Sequence, residues 1–146
     1  MPEVAIARDE DVLPVAPDEG VFSVLDESEC QSLLHDGVVG RIGFAQPDLT
    51  ILPVTYDWVD GLVVFKTSKE SSLYRLVGQP VAFEVDDIDA ETGVGWSVML
   101  RGVVETGIPE QAEGIRPMAA GQRKEVMVIR PSGFSGRVVS RPEEGR

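Results

Sequence analysis

The chain has 146 residues, enough for one domain with a single sizeable core, and its 25 acidic against 13 basic side chains leave a formal net charge of -12. Such a charge repels phosphate backbones and anionic membrane surfaces, so neither nucleic acid nor a membrane is an expected partner, while a local pocket can still hold a small anion. The lone cysteine, Cys30, excludes an intramolecular disulfide and fits a cytoplasmic protein.

Residues 1–20 read as a flexible arm. Pro2, Pro14 and Pro17 interrupt them, Asp9, Glu10, Asp11, Asp18 and Glu19 load them with charge, and no period emerges. They lack a cationic start followed by an apolar run, so no secretory signal is expected. No apolar stretch in the chain approaches the roughly 20 residues of a membrane span. Residues 21–140 are expected to form the single domain, and 141–146 a loose tail. The first firm element is a helix over residues 27–35. Asp26 can cap it, Glu29 completes a capping box, Cys30, Leu33 and Leu34 form its apolar stripe, and Gly37 suits its exit.

Strand signals then dominate. Residues 38–44 and 49–56 are β-rich runs separated by a turn at 45–48. Asp60-Gly61 marks a tight hairpin between 56–58 and 62–65. A short helix is expected over 69–77, ended by Gly78 with Pro80 just beyond. Strands resume at 80–85 and 96–106, joined by an acidic loop at 86–95. Residues 108–122 show little pattern, and 125–130 and 136–139 make the last strands around a turn at 131–133. Six or seven strands with two short helices indicate an antiparallel barrel carrying helical inserts.

Chemistry-bearing residues are sparse. One histidine and one cysteine cannot build a zinc site of the usual kind, so no metal is expected. His35, at a helix end, reads as a cation complementing the helix dipole, and Cys30 as a buried thiol. Asp86, Asp87, Asp89 and Glu91 lack the glycine spacing of a calcium loop and read as a solvated acidic loop. Trp58 and Trp96 suit ring stacking or cross-strand packing, Tyr56 a ligand contact or the core edge, and Arg41 an anion or an ion pair. The segment from Lys66 to Ser72 is richer. A strand passes there into a helix whose first N–H groups lack internal partners and can hold an anion. Thr67, Ser68, Ser71 and Ser72 add hydroxyls, and Lys66 or Lys69 adds charge. Hydroxyls at a helix start also serve as plain caps, so the segment alone leaves both readings open.

Several of these stretches occur together in one known family. The VGRI run ending at Ile42, Pro53-Val54-x-Tyr56, Phe65-x-Thr67 leading into the serine-bearing turn, VAFEVD at 81–86 and GWSV-x-x-x-G at 95–102 lie in family order, with Gly136-Arg137 as a weaker addition. Over about half its length the chain therefore resembles the pyridoxamine 5′-phosphate oxidase-related, flavin-binding split-barrel family. The resemblance implies a mainly β fold, a split antiparallel barrel with two or three short helices. It also implies a homodimer holding flavin mononucleotide (FMN) in clefts between subunits. Ile51, Pro53, Val54, Thr55 and Tyr56 would run along the ring and its linker. Lys66, Thr67, Ser71 and Ser72 would face the phosphate and Ser97 would lie near the ring; Ser68 and Lys69 join the candidate cofactor-binding residues from the reading of the 66–72 segment itself.

One position departs from the family pattern. Ser72 and Leu73 stand where relatives carry a basic residue against the phosphate, and losing a charge-assisted contact costs roughly 1.5–3 kcal/mol. Lys69, Lys66 and Arg75 are the candidate replacements. FMN, a deazaflavin and no cofactor at all thus stay open. The leading expectation is a flavin-dependent oxidoreductase passing a hydride or electrons to a small-molecule substrate. Pyridoxamine phosphate oxidation itself is disfavoured, because it needs a second phosphate pocket and the chain has few basic residues to build one. The alternatives are a non-catalytic flavin- or deazaflavin-binding protein and a cofactor-free dimeric module.

Overall fold

The computed structural model describes residues 21–115 and 123–140; the expected arm and tail lie outside the described residues. Helix α1 (Glu27–Asp36) starts as its sequence requires. The Asp26 carboxylate accepts the Glu29 N–H at 2.8 Å, and Glu29 returns a carboxylate oxygen to the Asp26 N–H at 3.0 Å. The Gly37 N–H closes the other end on the Leu34 carbonyl. Cys30 and Leu34 face inward and are buried.

Eight strands follow or flank this helix: β1 (Val21–Val24), β2 (Val39–Phe44), β3 (Thr50–Thr55), β4 (Asp57–Val59), β5 (Leu62–Thr67), β6 (Pro80–Ile88), β7 (Gly95–Thr106) and β8 (Glu125–Ser140). All named pairings are antiparallel, in the order β3-β2-β6-β7-β8-β5-β4, with β1 also on β8. The sheet curls until β3, at one end of the order, packs against β5 near the other. The result is the split antiparallel barrel expected from the sequence. The β4–β5 hairpin turns through Asp60 and Gly61, both at positive φ (52° and 77°), as a tight hairpin of this length demands.

Four local expectations are corrected. The helix expected over 69–77 is a five-residue 3-10 turn, Ser72–Leu76, because only Leu73 and Leu76 are buried and their i, i+3 spacing suits three residues per turn. The strands expected at 125–130 and 136–139 are one strand, β8. Its expected turn is a β-bulge: Gly102 pairs with Pro131 while Arg101 pairs with Gly133, leaving Ser132 as the extra residue. The acidic loop is shorter than 86–95, since β6 runs on to Ile88 and pairs it with Gly95. Strand β1 precedes α1 and had no clear sequence signal; four residues have too little pattern to stand out, and they are held by pairing with the far end of β8.

The main core lies inside the curl, where Leu34, Ile42, Phe65, Phe83, Leu100 and Ile129 are fully buried. Gly40 permits this packing, because a Cβ there would stand 2.2 Å from the Phe83 ring. A second cluster (Val64, Ala112, Ile115, Val126 and Val128) forms on the opposite face of β5 and β8, under a 3-10 turn at Pro109–Ala112. Among the described residues no helix is long and apolar enough to cross a membrane.

Candidate functional site

Side chains alternate across a strand, and this divides the candidate residues into groups. On β3, Val54 is buried in the core with Tyr56 just beyond it, whereas Ile51, Pro53 and Thr55 point to the outer face of the sheet. Ile51 is 71% exposed there. Ser97 on β7 is half-buried on that same outer face, in register with Asp86 and Arg137. Strands β2 and β6 lie between β3 and β7, which sets Ser97 about 14 Å from the β3 residues. The outer face therefore offers a broad, shallow shelf.

Tyr56 belongs to the interior. Its ring meets Phe83 edge-on at 5.0 Å, and its hydroxyl donates to the Leu34 carbonyl at the end of α1. Burial, with lesser contributions from Asp57 and Asp36, raises its pKa well above the usual tyrosine value. The hydroxyl thus ties the helix to the barrel. Both tryptophans pack against the main core, Trp58 with its ring 6.2 Å from Phe134 in an edge contact.

At the end of β5 the alternation separates Lys66 from Thr67. Lys66 shares its face with Val64 and the second cluster, while Thr67 shares its face with Val63 and Phe65. Thr67 is fully buried, and its Oγ1 has no hydrogen-bond partner among the described residues. An unpaired buried hydroxyl costs about 1–3 kcal/mol, so among the described residues this junction holds a donor without an acceptor. Ser71 has its hydroxyl engaged: it accepts the Leu73 N–H at 3.1 Å as the cap of the 3-10 turn. Ser68 is half-buried and its carbonyl accepts the Ser71 N–H, while Ser72 is exposed. The shortness of the turn leaves little helix dipole to attract an anion.

Charge at this junction comes from Lys69, whose Nζ stands 3.7 Å from Glu125 Oε1. Glu125 opens β8 and is the register partner of Thr67, so both project to the same side of the sheet. Arg75 is exposed on the 3-10 turn. The structure brings Thr67, Ser68, Lys69, Ser71 and Ser72 together at one end of the barrel, apart from the outer-face group and the core pair. Glu125 was invisible as a site residue in the sequence, because only long-range pairing sets it opposite Thr67. The junction fits one anionic group: a buried donor in need of an acceptor, one lysine within the same turn, and a carboxylate competing for that lysine.

A second ionic cluster sits on the outer face. Arg41 Nη1 bridges Glu84 at 3.0 Å and Asp86 at 3.2 Å, so Arg41 takes the ion-pair role. Burial and the neighbouring Asp86 raise the Glu84 pKa to about 7 against the opposing pull of Arg41. A groove of about 670 Å3 over α1, walled by Gln31, His35 and Trp58 among others, lies elsewhere. Trp58 pairs with Val63, four residues or about 13 Å along β5 from Thr67. No cluster of three or more potential metal ligands occurs among the described residues.

Residues 26–138 match the model of the pyridoxamine 5′-phosphate oxidase family. The FAD binding protein of Mycobacterium smegmatis has the same fold, with a TM-score of 0.63 at 27% identity, over 81% of this chain and 98% of that one. A conserved protein of unknown function from Corynebacterium diphtheriae matches with a TM-score of 0.63 at 29% identity, over 80% of this chain and 97% of its own. A FAD-binding protein from Mesorhizobium loti reaches 0.68 at 17% identity, over 83% and 98%, a likeness of fold alone. An uncharacterized Mycobacterium tuberculosis protein, Rv0080, is 36% identical over 95 residues, which cover 60% of this chain and 62% of that protein.

Proposed function

Because this chain belongs to the pyridoxamine 5′-phosphate oxidase family, we propose that it is a flavin-binding oxidoreductase working as a homodimer, with FMN as its cofactor. The observation that carries the reading is the buried Thr67 hydroxyl, without a partner among the described residues, two positions before Lys69 at the end of β5, where the family resemblance implies a phosphate. An anionic tail docking there supplies the missing acceptor, with Ser68 and Ser72 at its edge. The ring then lies on the outer shelf formed by Ile51, Pro53 and Thr55, with Ser97 on its far side. A second copy of the chain closes that shelf into a cleft. Exposed Val39, Ile51 and Val103 share the outer face with the Arg41 cluster, a mixture of apolar and paired polar groups typical of subunit contacts. The FAD binding protein of Mycobacterium smegmatis, 27% identical, supports a flavin as the ligand class.

When bound, the flavin itself carries the redox chemistry by accepting a hydride or single electrons. The chain's part is to hold the tail, cover one side of the ring and keep water away from it. The test is titration of the purified protein with FMN, FAD and a deazaflavin, read by flavin fluorescence, followed by addition of a reduced nicotinamide under anaerobic conditions. Tight FMN binding with bleaching of the bound flavin is the expected result. Binding without bleaching leaves a flavin-binding protein and removes the enzyme. No binding of any of the three overturns the reading.

A further inference from the structure

We propose that Glu125 sets how strongly this site holds a phosphate, by competing with it for Lys69; the proposal rests on the flavin reading above. Among the described residues, Lys69 is the cation at this junction that is ion-paired with the carboxylate opposite Thr67. Lys66 is on the opposite face of β5, and Ser72 and Leu73 bring no charge. Lys69 pairs with Glu125 at 3.7 Å. Glu125 is fixed opposite Thr67 by the β5–β8 register, and its side chain is only 28% exposed. Lys69, at 70% exposure, is the mobile partner that can turn either to the carboxylate or to an incoming anion.

This arrangement makes the tail contact conditional. A phosphate monoester arriving at Thr67 meets a lysine already paired with a carboxylate. It must draw Lys69 off Glu125 and accept the nearby negative charge. A flavin with an uncharged tail meets no such opposition. Glu125 therefore lowers the preference of the site for FMN over riboflavin, and it does so through Lys69 as a positioning residue without touching the ring.

The experiment measures dissociation constants for FMN and riboflavin by fluorescence quenching in the wild-type chain, in Glu125→Gln, in Lys69→Met and in the double variant. Exposed or half-exposed ion pairs are worth up to about 1 kcal/mol, which sets the scale at about two- to fivefold. Glu125→Gln is expected to tighten FMN by that factor and leave riboflavin unchanged. In the Lys69→Met background the same substitution is expected to give no gain. Glu125→Thr, a residue suited to a strand start, serves as the second variant should the glutamine substitution disturb folding, as judged by circular dichroism. Equal shifts for both ligands, an unchanged ratio, or a gain that persists without Lys69 each overturn the proposal while the flavin reading stands. Absence of quenching by both ligands overturns the flavin reading and the proposal with it.

Discussion

Replacing Thr67 with valine is expected to make the ligand-free protein more stable and the flavin-bound protein weaker. Thr67 is fully buried among the ends of β5 and β8, and its Oγ1 finds no acceptor among the described residues. Burying a hydroxyl without a partner costs about 1–3 kcal/mol, and valine keeps the β-branched shape while removing that cost. A gain of about 1–2 kcal/mol corresponds to a rise in Tm of about 3–8 °C for a domain of this size. The opposite sign is expected for binding. If the hydroxyl donates to the flavin phosphate, its loss removes a hydrogen bond to a charged group, worth roughly 1.5–3 kcal/mol, so FMN affinity falls at least about tenfold. Calorimetry or thermal denaturation of the ligand-free protein gives the first number, and fluorescence titration the second. A lower Tm would mean the hydroxyl has a partner in the folded chain. A higher Tm with unchanged FMN affinity would mean that the cost of the buried hydroxyl has nothing to do with the tail of the cofactor.

Four further outcomes follow from other contacts. Tyr56→Phe removes the hydroxyl that donates to the Leu34 carbonyl; since the Gly37 N–H still serves that carbonyl, the loss in urea unfolding is expected at about 1 kcal/mol, and a loss above ~3 kcal/mol would refute the shared acceptor. Gly40→Ala places a Cβ 2.2 Å from a Phe83 ring that has no free space around it, and thermal melts are expected to show a loss of about 1–3 kcal/mol. Glu84, with its pKa raised to about 7, binds its proton more tightly when folded than unfolded, so its contribution to stability is complete below about pH 4.5 and is lost as the pH rises through 7. Glu84→Gln is expected to remove that component from a plot of Tm against pH between 5 and 8, and a plot unchanged by the substitution would refute the assignment. Under the proposed homodimer, Val103→Glu puts a charge on the contact face, and sedimentation is expected to show a shift from dimer to monomer; an unchanged sedimentation profile would remove this face from the proposed contact.

Much of the fold was legible because its signals are local. The capping box of α1, the Asp60-Gly61 hairpin and the alternation along β2 and β6 each depend on residues within one or two turns of one another. The errors fall where a distant partner decides. Pro131-Ser132-Gly133 carries every mark of a turn, yet β7 pairs along both sides of it and converts it into a bulge. The run after Thr67 looks like the start of a helix, yet only two of its residues find apolar cover and it closes as a single 3-10 turn.

The same distinction governs the site. Reading residues 51–56 and 66–72 as continuous ligand-binding runs ignores that neighbouring strand residues face opposite ways, so Tyr56 turns to Phe83 and Lys66 turns to the second cluster. Thr67, Lys69 and the serines around them stand together at one end of the barrel, and Glu125, 58 positions after Thr67 in the chain, joins them there. Sequence motifs report which residue types a ligand needs. They do not report which carboxylate the sheet will bring alongside. In this chain Lys69 follows Thr67 by two residues, and the pairing of β5 with β8 alone decides that Glu125 stands opposite Thr67 within 3.7 Å of that lysine.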